Sequence, residues 1–88
     1  MAKLSHRAAR VVAAGKLMYG DTRWQSPLAR LTGLSPALLQ KIADGTREVT
    51  DDVYFKIADA LLTEAARMHK SVMKVEEMAG RMFAELQE

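Results

Sequence analysis

"QSPLARLTGLSPALLQKI", residues 25–42, holds both prolines of the chain, each directly after a serine: Ser26-Pro27 and Ser35-Pro36. A serine hydroxyl can accept a hydrogen bond from an amide in the first turn of a helix. Proline suits the first helical position, where its missing N–H has no partner to lose. Each pair therefore predicts a helix start. The first helix runs from about Pro27 to Thr32 and ends at Gly33, which supplies the left-handed residue of a sharp turn. The second runs from Ser35-Pro36 to about Asp44 and is closed by Gly45. Leu28, Leu31, Leu34, Leu38, Leu39 and Ile42 can all converge between these two helices.

The flanking sequence is helical as well. It has no sustained two-residue alternation and few β-branched residues, so strands are not expected. A first helix is predicted over about Leu4–Tyr19, with Ala8, Val11, Val12, Leu17 and Met18 as its apolar stripe. "YGDTRW" (19–24) is a turn, and Trp24, the single tryptophan, is expected to pack that turn onto the core. In "TREVTDDVYFKIADAL" (46–61), Thr50 or Asp51 can cap a helix, and Asp51 and Asp52 suit its positive end. Val53, Ile57, Ala58, Leu61 and Leu62 give that helix a stripe.

Past Leu62 no stop signal appears before Gly80. Ala65, Met68, Val72, Val75, Ala79, Met82 and Leu86 step alternately by three and four, a heptad seam. They fit one helix over about 52–87, or two helices bent near 69–71. The seam is expected to pair with a second copy; the alternative is that it folds back onto its own domain. The fold class is all-α, divided at 1–64 and 65–88.

Bulk properties bound the function. The chain has 88 residues, and one this short buries only about 60% of its unfolded surface, so a second copy would help to cover it. With no cysteine, disulfides and thiolate metal sites are excluded. His6 and His69 make no ligand spacing, so no metal and no cofactor are expected. There is no phosphate-binding glycine loop and no nucleophile–base set, so no catalytic residues are assigned and no enzyme is expected. No apolar run approaches the ~20 residues of a membrane span. "MAKLSHRAARVVAAGKLMYG" is basic, but Arg7, Arg10 and Lys16 interrupt it at helical spacing, which favours an amphipathic helix over a signal peptide. The composition fits the reducing cytoplasm. Residues 1–50 hold eight Lys and Arg against three acids, a balance of +5, and residues 51–88 hold five against eight, a balance of −3. A basic front half suggests a polyanion as its partner.

Residues 25–42 resemble the helix-turn-helix of the Cro and lambda-repressor-like (XRE-type) transcriptional regulators. Ala29 is the small residue where two helices cross, Gly33 the turn glycine with Leu34 behind it, and Leu39 and Ile42 the core positions of the recognition helix. "ADGTREVTDDVYFKIADAL" (43–61) is similar to the family's continuation, with its Gly-x-Arg connection and its Lys-Ile-Ala-x-Ala-Leu helix. "LMYGDTRWQSPLAR" (17–30) resembles the opening of small phage-type regulators. The likeness covers residues 25–62 well, the first helix loosely and 63–88 not at all. Thr32 departs from it, since a larger apolar residue is common there.

The resemblance implies a lambda-repressor-like bundle over 1–64, and the heptad seam makes 65–88 a C-terminal dimerisation extension. It implies a sequence-specific DNA-binding regulator, a repressor and plausibly autoregulatory. Such a protein binds an inverted repeat as a homodimer, one recognition helix at about 35–44 in each of two major-groove segments about 34 Å apart. Gln25 would hold a phosphate and buttress the recognition helix, and Ser26 would add a phosphate contact. Ser35, Pro36 and Ala37 would lead into the groove, with Gln40 and Lys41 one turn on. Thr46 and Arg47 would clamp phosphates, with Arg23 and Arg30 as further candidates. Pro36 and Ala37 depart from the family, where hydrogen-bonding side chains often stand at the helix tip. They can touch only thymine methyls, which leaves base reading to Gln40, Lys41, Ser35 and DNA shape. The chain's size leaves no separate ligand domain, so no small-molecule effector is expected. The rival expectation is an antitoxin-like or adaptor module that binds a protein through its C-terminal stripe.

Overall fold

The computed structural model describes residues 4–87. They form four helices and no strand: α1 His6–Tyr19, α2 Gln25–Thr32, α3 Pro36–Ala43 and α4 Asp51–Leu86. Three helix starts are capped by a hydroxyl. Ser5 accepts from the Ala8 amide (3.1 Å), Ser35 from Leu38 (3.0 Å) and Thr50 from Val53 (3.3 Å). The cap on Ser5 starts α1 two residues later than the apolar pattern predicts, and Leu4 instead packs on the core from outside the helix.

The second Ser-Pro pair behaves as expected, with Pro36 as the first helical residue of α3. The first pair does not. α2 begins earlier, at Gln25, and its N-cap is Trp24, with no side-chain cap bond. The Leu28 amide donates to the Trp24 carbonyl at 3.1 Å and closes the first turn there. Ser26 and Pro27 then take the second and third helical positions. Proline is tolerated at the third as at the first, because none of the first three helical amides has a partner within the helix.

Trp24 sets this register. It is buried, its ring lies flat on α1 at Gly15, and Arg23 before it is held at φ 59°. A Cβ at residue 15 would stand inside contact distance of three ring atoms. Gly15→Ala is therefore expected to cost about 1–3 kcal/mol by overpacking. A lowered thermal midpoint and altered Trp24 fluorescence would check it; an unchanged midpoint would contradict the packing.

The core joins Ala8 and Val11 of α1, Trp24, Leu28, Ala29, Leu39, Ile42, Val49 and Ile57. Leu31, Leu34 and Leu38 pack against it half-buried. Gly33, at φ 76°, makes the turn between α2 and α3, and its amide donates to Ala29 at 2.9 Å. Three expected core positions are in fact on the surface. Leu17 is 87% exposed, because it lies about half a turn round from Gly15 and Ala8 on the buried side of α1. Leu62 is 74% exposed, and Ala58 is exposed too. α4 seats instead through Val53, Tyr54, Ile57, Ala60 and Leu61. Arg7 ties α1 to the start of α4. It donates to Asp51 Oδ1 (2.6 Å) and the Val49 carbonyl (3.4 Å), and its guanidinium lies 5.0 Å from the Tyr54 ring centroid.

α4 is one unbroken helix of 36 residues, about 54 Å long at 1.5 Å per residue. The boundary at 64/65 falls inside it. From Ala65 to Gln87 every residue is exposed, so the stripe does not fold back onto its own domain. The extension gives the molecule its 62 × 24 × 20 Å extents. Among the described residues no helix is long and apolar enough to cross a membrane.

Candidate nucleic-acid interface

α2 and α3 make the most extensive helix–helix contact in the molecule, and their polar sides meet at one bond. Gln25 Nε2 donates to Gln40 Oε1 at 3.1 Å. This joins the first residue of α2 to the middle of α3. The expected buttress of Gln25 on the predicted recognition helix is thus present as a contact. It also holds the Gln40 side chain, one of the three side chains expected to read bases.

The altered start of α2 changes what its amino end offers. Gln25 and Ser26 amides have no partner among the described residues, and the Ser26 hydroxyl, relieved of capping, is free as well. Two unpaired amides at a helix N-terminus favour an anion. α3 offers less. Pro36 has no N–H, the Leu38 amide is taken by Ser35, and only the Ala37 amide stays unpaired in its first turn. Of the two helix ends, that of α2 is the better phosphate seat.

Ser35, Pro36, Ala37, Gln40 and Lys41 are all exposed along α3. Arg23, Arg30 and Arg47 are exposed and make no ion pair among the described residues. Among the described residues no side-chain hydrogen bond or ion pair ties Arg23 or Arg30 to α3. Thr46 departs from its expected part as a phosphate clamp. Its hydroxyl donates its only proton to Asp44 Oδ1 (2.6 Å), while its amide donates to the Lys41 carbonyl and to Asp44 Oδ1, both at 3.0 Å. With both donors committed, Thr46 shapes the turn after α3, while the exposed Arg47 beside it makes no ion pair among the described residues.

Sequence reasoning does not single out Asp44. It belongs to this turn, and a short polar residue just before Gly45 is the available signal. The Thr46 hydroxyl, then the Thr46 amide and the nearby Lys41 hold its carboxyl below the ordinary 3.8. A lowered folded value means that its stabilisation is present above 3.8 and is lost as pH falls through the lowered value. The Thr46 amide resonance is therefore expected to stay fixed down to about pH 3.8 and to shift below it. Thr46→Ala should move that midpoint up toward the ordinary value in an NMR titration; an unmoved midpoint would contradict the bond.

Among the described residues no group of acids, histidines or cysteines could hold a metal ion. No family model, no curated protein and no solved structure matches this chain.

Proposed function

We propose that the protein is a small DNA-binding transcriptional regulator of the XRE type. It would use α2 to seat on the phosphate backbone and α3 to enter the major groove. The single observation that carries this reading is the Gln25–Gln40 bond across a glycine turn, which couples the amino end of α2 to an exposed side chain of α3. The +5 balance of residues 1–50 supports it. Gln40 would pair with adenine, Lys41 with guanine acceptors or a phosphate, and Pro36 and Ala37 with thymine methyls. Repression of its own promoter, as a homodimer on an inverted repeat, follows from the same reading.

The test is a gel shift across a salt series on an inverted repeat upstream of the gene. Affinity should fall steeply with salt and drop on a scrambled duplex. Binding indifferent to salt and sequence would sink the proposal.

The exposed stripe of α4 favours one second reading, a protein-interaction module. Cellular function that survives charge reversal at Lys41 and Arg47 would select it.

A further inference from the structure

α4 presents three sides. Val53, Ile57, Leu61 and Glu64 face the globule. The ion pairs Lys56–Asp52 and Arg81–Glu77 mark a charged side. The third side winds from nearly opposite the globule-facing one at Phe55 and Leu62 to about a quarter-turn from it at Glu76 and Phe83. Every seventh residue of it reads Phe55, Leu62, His69, Glu76, Phe83, with Ala58, Ala65, Val72 and Ala79 between them. Phe55 and Leu62 are 70% and 74% exposed, although they lie on the part of α4 that already seats on the globule. A seam confined to residues 65–86 leaves Leu62 unexplained. Its members Met68, Val75 and Met82 also continue the globule-facing side, so a helix laid along them is directed at α1–α3. A helix laid along the third side clears the globule over the full length of α4.

We infer that a second copy of this chain pairs along the third side, α4 against α4 and antiparallel. A parallel pair would set His69 against His69 and Glu76 against Glu76. An antiparallel pair centred between Val72 and Met73 sets each His69 imidazole N–H opposite Glu76 of the second copy. That register also brings Leu62 level with Phe83 of the second copy. There Ala79, Met82, Phe83 and Leu86 line a shallow apolar depression that a leucine can enter. The complementary residue types at 69 and 76 and the depression at 79–86 agree on one register. The alanines at 58, 65 and 79 let the helices approach closely. Residues 58–87 of both copies overlap, over about 45 Å, with the globules at opposite ends of the rod.

This inference rests on the homodimer part of the proposed function and is independent of its DNA part, because every measurement is made without DNA. The chain has no cysteine, so full-length Leu62→Cys and Phe83→Cys chains can be mixed and oxidised. The expected product is a cross-linked heterodimer, with neither variant cross-linking alone. Self-cross-linking of Leu62→Cys, or no cross-link in the mixture, would overturn the orientation and register. By light scattering, Leu62→Asp should halve the mass with helicity retained, and Val75→Asp should keep the dimer. A dimeric Leu62→Asp together with a monomeric Val75→Asp would overturn the face in favour of the seam at 65–86. A monomeric wild-type chain would overturn pairing itself and leave DNA binding to be judged separately.

Discussion

Reversing two charges together, Lys41→Glu with Arg47→Glu, is expected to weaken operator binding about 100-fold or more. Each interaction of this kind is worth roughly 1–3 kcal/mol, and about 1.4 kcal/mol is tenfold in affinity. Reversal adds repulsion from the phosphates to the missing attraction. Both residues are exposed and neither is in an ion pair among the described residues, so stability should change by no more than about 0.5 kcal/mol. The slope of log affinity against log salt should flatten by roughly one for each phosphate that is no longer neutralised. Fluorescence anisotropy on a labelled operator, beside circular dichroism of the same samples, separates the two effects. An unchanged affinity with an intact fold would remove α3 from the interface.

The second large effect is in the core. Leu39→Ala and Leu28→Ala each truncate a side chain with no exposed surface. The expected destabilisation is about 2–5 kcal/mol, against a total of about 5–15 kcal/mol for a native domain. Leu39 belongs to α3, so its truncation should loosen the same helix that presents Gln40 and Lys41. Urea unfolding followed by Trp24 fluorescence measures the effect, since that ring is buried in the same cluster. Leu17→Ala is the control and should stay within about 0.5 kcal/mol. Equal destabilisation by the Leu39 and Leu17 substitutions would contradict the core described here.

Residues whose signal is local are readable from the sequence. Ser35-Pro36 announces α3, Gly33 the turn and Thr50 the start of α4, because each acts on amides within four residues of itself. The start of α2 is not readable in this way, because its register is set from a distance. Trp24 must lie flat on Gly15, and that packing carries the helix start back past Ser26. Gly15 gives no sign of its part without the ring that covers it. The apolar stripes of α1 and α4 come out too broad in the sequence for the same reason. Leu17 and Leu62 fit a helical spacing, but only the placement of the other helices decides which side is inward. The candidate site shows the same division. Gln25 and Gln40 each stand out in the sequence, whereas the commitment of Thr46 to Asp44 emerges only once the turn after α3 is built.

Selection of duplexes from a random pool by the wild-type chain tests the central claim most directly. The account predicts enrichment of a two-fold symmetric site, carrying adenine or guanine where Gln40 and Lys41 reach and thymine at the tip of α3. Lys41→Glu with Arg47→Glu should enrich nothing. A wild-type pool that stays random, or one that the double variant enriches equally well, would contradict it.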